Sequence, residues 1–482
     1  MAWKLGRRDF IRSAIAGGAL CAGCSQGAKF PLAGGGAPAC RPAGLVSPGC
    51  RGSKVRVGKV YAGVPKALWP TPLMDLNAET ARYEGEFTRQ EKEFADVEFV
   101  GNSLITNIEE AKKAREAMGD VDGILFIHLS MGVTAMLREI LAAGKPTMVF
   151  AYPYSGHEWT QFGEIRKSRE GALMDCLLTS DMNELAAAVR PFRAVHHARE
   201  AKIINVTTRN VADYAGAIRE KFGTEIKVIG REPVMAAYES IPESQARAEA
   251  ARWMSGAVAV VEPDRDEVYR SCRLALAFEK ILDEERATVI TTDCYGSMYH
   301  RLPAFPCVGN VRLNDMGLGG ICESDLRSAM THIILQGLTG KPGFISDPTM
   351  DMSKRAIILA HCLGSTRMDG PAGPAAPYKL RTIHERQEGC VPQVKMRVGE
   401  KATQAILCGV EEIRYFTGVI IDAPEYDRGC RTKIVVRPDG SPQRLWQNWT
   451  QGLHRVTVYG NCKEDLERFC RFKGLRMTDE TA

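Results

Sequence analysis

The fold is decided by the stretch Gly319-Gly320-Ile321-Cys322-Glu323-Ser324-Asp325, which an apolar-striped segment and then Lys341-Pro342-Gly343-Phe344-Ile345-Ser346-Asp347-Pro348 follow. Between the two quoted runs, apolar side chains recur at helical spacing, which predicts a helix with one buried face. Gly340 and Pro342 end this helix, and residues 344–347 are predicted as a short strand that Pro348 stops. This succession indicates an α/β fold with a parallel sheet.

Two carboxylates flank the predicted helix. Glu323 is predicted at its N-terminus and Asp347 at the carboxyl end of the next strand. In a doubly wound α/β sheet both positions face the same crevice, where two carboxylates can hold a divalent cation and move protons. The alternative to a functional role is a structural one for both carboxylates. An acid in a first helical turn often only stabilises the helix dipole, and an Asp before Pro often only forms a turn.

Composition narrows the class of protein. The 482 residues are enough for roughly two to four domains, and a hydrophobic content of 45% is ordinary for a globular protein. The net charge of +5 is weak, and no run of basic residues with interleaved aromatics occurs, which argues against a nucleic-acid partner. The fifteen cysteines are dispersed, which argues against a zinc ribbon or a disulfide scaffold.

The N-terminus predicts export. Arg7-Arg8 and Phe10 precede a short apolar run over residues 14–20, a pattern typical of a twin-arginine signal peptide, which we assign to residues 1–24. The predicted location is therefore periplasmic, with Cys24 as a candidate for a lipid anchor and a cytoplasmic location as the alternative. No other stretch of the sequence is long and apolar enough to span a membrane.

The remaining chain divides into four predicted parts. Residues 25–52 are rich in Gly, Ala and Pro and are predicted to be a flexible linker. Strands alternate with helices over residues 53–198 and again over residues 199–365, which predicts two doubly wound α/β domains. After a Gly/Pro cluster, short alternating apolar runs predict a small β-barrel-like domain with a final helix over residues 366–482.

Other residues that can carry chemistry are isolated along the sequence. His454 begins a predicted strand, and His361 and Cys362 follow an apolar run, although a lone histidine is often structural. Cys294 and Cys362 are nucleophile candidates without a local activating pattern, and Glu385 is predicted in a solvated loop. The sequence has no GxGxxG motif after its first strand, no Walker loop, no GxSxG and no HExxH, which argues against dinucleotide, nucleotide, serine-hydrolase and zincin functions.

Several of these segments together resemble the L-fucose isomerase-like sugar isomerases, a superfamily related to L-arabinose isomerase. The resemblance extends over residues 55–475 and includes the three-domain plan of that family. The segments that carry it are Pro306-Cys307, Leu313-Asn314-Asp315-Met316-Gly317, Cys322-Glu323-Ser324-Asp325, Leu338-Thr339-Gly340-Lys341-Pro342-Gly343-Phe344, Asp347-Pro348, Ala360-His361-Cys362 and Leu453-His454-Arg455-Val456-Thr457-Val458-Tyr459-Gly460.

The resemblance implies an aldose–ketose isomerase that binds one divalent cation, Mn²⁺ or alternatively Mg²⁺, through Glu323, Asp347 and His454, with His361 as a candidate fourth ligand. It also implies that Glu323 and Asp347 pass a proton between C1 and C2 of an open-chain monosaccharide through a cis-enediol. Assembly as a homotrimer or homohexamer is a further implication. The alternative is an exported sugar-binding or sensor protein without turnover; an exported oxidoreductase is a third option, which no dinucleotide fingerprint supports.

Overall fold

A five-stranded parallel sheet lies at the N-terminal end of residues 44–482, the part of the chain that the computed structural model describes. Its strand order is β2-β1-β3-β4-β5, and helices cover both faces. This order gives the predicted doubly wound arrangement. The elements are β1 (Val55–Ala62), α1 (Leu76–Arg89), β2 (Val97–Ile105), α2 (Ile108–Met118), β3 (Gly123–His128), α3 (Thr134–Leu141), β4 (Thr147–Ala151), α4 (Trp159–Lys167), β5 (Met174–Leu178) and α5 (Glu184–Glu200).

A second parallel sheet follows, with the strand order β10-β9-β6-β7. Its last strand lies close against the preceding helix because Gly320 has no side chain; a Cβ there would lie 2.3 Å from the Cα of Asn310. The elements are β6 (Lys202–Val206), α6 (Ala212–Phe222), β7 (Glu225–Ile229), α7 (Arg231–Ser240), α8 (Glu243–Gly256), β8 (Ala259–Val260), α9 (Arg265–Glu284), β9 (Val289–Thr292), α10 (Cys307–Asp315), β10 (Gly319–Cys322) and α11 (Leu326–Thr339).

An antiparallel barrel completes the fold. Its six strands follow the order β15-β18-β11-β12-β17-β16, and pairing of β15 with β16 closes it. A smaller sheet, β14-β13-β8, lies beside it, and β19 extends the barrel at β16. The elements are β11 (Phe344–Asp351), β12 (Ala356–His361), β13 (Tyr378–Ile383), β14 (Glu388–Val394), β15 (Lys401–Cys408), β16 (Glu412–Asp422), β17 (Thr432–Pro438), α12 (Pro442–Asn448), β18 (Arg455–Tyr459), α13 (Lys463–Lys473) and β19 (Arg476–Asp479).

The position of Asp347 differs from the prediction. Its strand, β11, belongs to the barrel rather than to a parallel sheet, and it continues through Pro348 to Asp351. Beyond Ser346, β11 pairs with β12 but no longer with β18, so Pro348 occupies an edge-like position at which proline is tolerated. Two barrel strands, β11 and β12, thus precede the predicted domain boundary at residue 366.

The end of the predicted linker is packed rather than flexible. Within residues 44–52, Cys50 is buried, the Gly49 amide donates to the Gly317 carbonyl at 2.7 Å, and the Ser47 hydroxyl lies 3.1 Å from Nε2 of His197. The linker prediction is therefore wrong for these residues. The predicted signal peptide at residues 1–24, with Cys24, lies outside the described residues. Within residues 44–482, no helix combines the length and the apolar character that crossing a membrane requires.

Candidate functional site

The side chains of Glu323, Asp347, His361 and His454 lie together where the barrel meets the carboxyl edge of the second parallel sheet. Glu323 directly follows β10. Asp347 and His361 lie on the paired strands β11 and β12, and His454 immediately precedes β18, the other neighbour of β11. Two separate parts of the fold therefore supply the four side chains, which we call the candidate site.

Glu323 is held in a left-handed backbone conformation. Its φ is 63° and that of Ser324 is 54°, a region that costs a non-glycine residue about 1–2 kcal/mol. Three hydrogen bonds fix this turn: the Ser324 amide donates to the Thr292 carbonyl at 3.1 Å, its hydroxyl donates to Asn205 at 2.6 Å, and Arg209 donates to the Glu323 carbonyl at 2.9 Å. Strain that the surroundings maintain is typical of functional positions.

His454 is oriented by Asp325. Nδ1 of His454 donates to the Asp325 carboxylate at 3.0 Å, and the same carboxylate caps the N-terminus of α11. Burial raises the pKa of Asp325, but hydrogen bonds from His454 and Ser328 outweigh burial and hold that pKa at about 2. Burial lowers the pKa of His454, but its contacts with Asp325 and Asp347 outweigh burial and raise that pKa to about 10.

The remaining polar atoms of the candidate site converge without well-aligned hydrogen bonds. Nε2 of His454 lies 3.2 Å from Oδ1 of Asp347 and 3.7 Å from Oε2 of Glu323, and Nε2 of His361 lies 3.7 Å from Oε1 of Glu323. Nε2 of His454 and Oδ1 of Asp347 form an ion pair, but neither atom has a well-aligned hydrogen-bond partner among the described residues, and neither has Nδ1 of His361. Unpaired buried polar atoms are costly unless something else satisfies them.

This geometry fits a single divalent cation. One ligand atom each from Glu323, His361 and His454 lies within 4.8 Å of the other two. An octahedral ion with bonds of about 2.1 Å separates adjacent ligand atoms by about 3.0 Å and opposite ones by about 4.2 Å. Asp347 adjoins this group through its 3.2 Å contact with His454. The carboxylates that favour a proton on His454 also attract a cation in its place.

A cavity of about 350 Å³ adjoins the candidate site, a volume within the range of small-molecule sites. Glu323, Asp347 and His361 line one part of it. The rest of the wall is formed by Cys294, Tyr295, Phe305, Cys307, Cys322, Cys362, Ile383, Glu385, Arg386 and Cys430. A second cavity, of about 630 Å³, also borders Glu323 and is lined by Arg209, Asp325 and His454.

The cysteine candidates reach the cavity but are not activated. A hydrogen bond with Cys322, together with burial, raises the pKa of Cys294. The neighbouring Cys430 lowers the pKa of Cys362, but burial and nearby acidic groups outweigh it and raise that pKa. Both thiols therefore stay protonated at neutral pH, which disfavours nucleophilic catalysis. Glu385 is exposed, as predicted, but its carboxylate also accepts from both Cys362 and Cys430, which the sequence did not indicate.

Two residues near the candidate site, Asp325 and Arg386, were not predicted to have a role there. Asp325 carried a detectable signal, since an Asp immediately before an apolar-striped segment is typical of a helix N-cap. The hydrogen bond between Asp325 and His454 could not be predicted, because the two residues are far apart in the sequence. Arg386 lies in the turn between β13 and β14, and nothing in its local sequence indicates that it borders the cavity.

No known protein-family model matches this chain. Two curated proteins have similar sequences. A sulfoquinovose isomerase of Clostridium sp. (strain MSTE9) is 24% identical over 205 residues, which cover 40% of this chain and 44% of the relative. A sulfoquinovose isomerase of Alkalicoccus urumqiensis is 22% identical over 240 residues, which cover 46% of this chain and 50% of the relative. The chain thus spans about half the length of the curated relatives it matches.

Proposed function

We propose that this protein is a metal-dependent aldose–ketose isomerase that acts on a monosaccharide. The observation that carries the proposal is the convergence of buried polar atoms of Asp347, His361 and His454, which lack hydrogen-bond partners, with Glu323 beside a sugar-sized cavity. The two sulfoquinovose isomerases with similar sequences support the class of reaction.

Glu323, His361 and His454 would hold the cation, with Asp347 beside them. A donor set that mixes carboxylate oxygen with imidazole nitrogen suits Mn²⁺, with Mg²⁺ as the alternative. When bound, such a cation supplies Lewis-acid stabilisation of negative charge that develops on the sugar oxygens.

Glu323 and Asp347 move the proton. One carboxylate removes the proton from C2 of the open-chain aldose while O1 gains a proton, which gives the cis-enediol. Delivery of a proton to C1, with loss of the proton on O2, then gives the ketose. The sugar gains and loses no atoms overall, so the reaction needs no oxidant or reductant.

Arg386 suggests which sugars to test. Its guanidinium lies 4.9 Å above the ring of Tyr299 and 5.3 Å above that of Tyr295, and it forms no ion pair with any residue in 44–482. A cation fixed on aromatic rings at the edge of a cavity suits a planar or tetrahedral anion. Sulfoquinovose, which carries a sulfonate, and its neutral counterpart quinovose therefore belong in the panel with L-fucose, L-arabinose and D-arabinose.

The test measures metal content and proton exchange in the same purified sample. We expect about one Mn²⁺ per chain, exchange of the C2 proton for deuterium in at least one sugar by NMR, and formation of the ketose. Removal of the metal with a chelator should lower turnover at least about 100-fold, because Lewis-acid stabilisation is worth several kcal/mol, and Mn²⁺ should restore it. Sugar binding without exchange in the presence of Mn²⁺ would instead indicate a binding or sensor protein.

Asp325→Asn should separate capping from metal binding. Asparagine caps helices about as well as aspartate, so the cap of α11 should persist, and a fall in the unfolding temperature of the metal-free protein would measure the lost charge pair with His454. The charge opposite Nδ1 of His454 is lost, and loss of such a partner typically costs about 10- to 100-fold in metal affinity. Calorimetric titration with Mn²⁺ measures this change.

The matched control is Asp264→Asn, which alters the capping residue of α9 away from the candidate site. It should leave Mn²⁺ affinity unchanged. An affinity in the Asp325 variant within about threefold of wild type would show that this carboxylate does not support the metal ligand.

Export through the twin-arginine route and assembly into a trimer or hexamer stay predictions.

A further inference from the structure

A second group of ligand atoms borders the same cavity. Cys362 directly follows β12, Cys430 lies just before β17, and Glu385 lies in the turn between β13 and β14. Oε1 of Glu385 is 3.0 Å from Sγ of Cys430, and Oε2 is 3.6 Å from Sγ of Cys362. The pairing of His361 with Thr432 brings the two cysteine-bearing segments side by side. The three residues share no ligand atom with Glu323, His361 and His454.

The three side chains are close enough for one tetrahedral ion to bridge them once the 3.0 Å contact between Glu385 and Cys430 lengthens. One atom from each of Cys362, Glu385 and Cys430 lies within 4.8 Å of the other two. With Zn–S bonds of about 2.3 Å and Zn–O bonds of about 2.1 Å, a tetrahedral zinc site separates sulfur from oxygen by about 3.6 Å and the two sulfurs by about 3.8 Å. Both thiols are free, so they are available to an ion.

A third group of possible metal ligands is formed by Cys50, His196 and Glu200, but hydrogen bonds within the protein already occupy its ligand atoms. There, Nδ1 of His196 pairs with Asp122 at 2.9 Å and Nε2 with the Ser53 carbonyl at 3.0 Å. Glu200 accepts from both the amide and the hydroxyl of Ser53. Those bonds hold the N-terminal segment in place and leave no ligand atom of the histidine free. The group of Cys362, Glu385 and Cys430 contains no histidine. The hydrogen bonds that its carboxylate accepts come from the two thiols, which give up these protons when a metal ion binds.

We propose that Cys362, Glu385 and Cys430 form a second metal site, for a thiophilic divalent ion such as Zn²⁺, with its open coordination position toward the cavity. Binding releases the two thiol protons and changes no oxidation state. Lys433 lies opposite Ala360 on β17, and although burial lowers its pKa, the negative charge of two thiolates and a carboxylate would favour its charged form beside the ion. The ion ties the β13–β14 turn and the loop before β17 to the end of β12.

The test uses Co²⁺ as a spectroscopic probe of the full-length, metal-free, reduced protein. We expect Co²⁺, added in excess of the two proposed sites, to give a thiolate-to-cobalt charge-transfer band in the near ultraviolet, which Zn²⁺ abolishes by displacement. Cys430→Ser should remove most of the band, while Cys176→Ser, a change at another half-exposed cysteine, should leave it unchanged. Glu385→Gln should weaken Co²⁺ binding at least about tenfold through loss of ligand charge.

The readout does not depend on isomerase activity. His454→Ala should abolish Mn²⁺ binding at the candidate site and leave the thiolate band intact, so failure of the proposed function and failure of the second site are distinguishable. Absence of the band in reduced wild-type protein would overturn the second site. So would a band of equal intensity in the Cys430 variant. A thiol count that shows a disulfide between Cys362 and Cys430 would overturn it as well, if the reduced protein then binds no ion.

Discussion

Replacing Glu323 by glutamine is expected to lower the isomerase turnover number at least about 1,000-fold, equivalent to about 4 kcal/mol of activation free energy. Glutamine has nearly the same shape, so the left-handed turn and the bond from Arg209 to the residue-323 carbonyl can persist. The amide cannot take a proton from C2 of the sugar, and it is a weaker ligand for a divalent cation because it carries no charge. Proton transfer and metal binding are therefore impaired together.

The measurement separates these two losses. Turnover is determined at saturating Mn²⁺, and the metal bound to the same sample is quantified. Glu400→Gln makes the same chemical change in a surface ion pair with Arg397 and should leave turnover unchanged, since such pairs contribute little. If a metal-replete Glu323 variant retained turnover within about tenfold of wild type, Glu323 would not be the residue that moves the proton.

Local patterns in the sequence predicted the parts of the fold that depend on local physics. Apolar periodicity predicted the helix α11, and alternation of strands and helices predicted the two parallel sheets. The prediction that α11 buries only one face is wrong, because residues 328–338 are all buried between the second sheet, α5 and the barrel. Short alternating strands predicted a β-barrel-like domain, but not that β11 and β12, which precede residue 366, belong to it. Each of these patterns is formed by residues that are close together in the sequence, so it can be recognised without knowledge of the tertiary structure.

Features that depend on distant segments were not predictable. Asp347 is in the barrel because β11 pairs with β12 and with the much later β18, and a buried apolar strand has the same local pattern in either kind of sheet. The left-handed turn at Glu323 and Ser324 depends on bonds from Arg209 and to Asn205, which come from elsewhere in the chain. The roles of Glu323, Asp347, His361 and His454 stay predictions, although the structure brings the four side chains together.

The strand β18, which directly follows His454, depends on a fully buried ion pair. The guanidinium of Arg455 donates to Glu480 through Nη2 at 2.7 Å and Nε at 3.1 Å, and neither side chain is exposed to solvent. Nη1 of Arg455 also donates to the carbonyl of His454 at 2.9 Å and to that of Gly452 at 3.2 Å. The pair therefore fixes both the barrel edge and the backbone of a candidate metal ligand.

Glu480→Gln is expected to destabilise the protein by about 3–5 kcal/mol, because it leaves the Arg455 charge buried without a counter-charge. Urea unfolding should show a lower midpoint with an unchanged slope. Glu464→Gln removes an exposed carboxylate from Arg468, which keeps its pair with Asp465, and should cost less than about 1 kcal/mol. The double variant Arg455→Met with Glu480→Leu should be more stable than Glu480→Gln alone, since removing both charges removes the desolvation penalty. Equal destabilisation by both would mean that lost packing, rather than the unpaired charge, governs this part of the barrel.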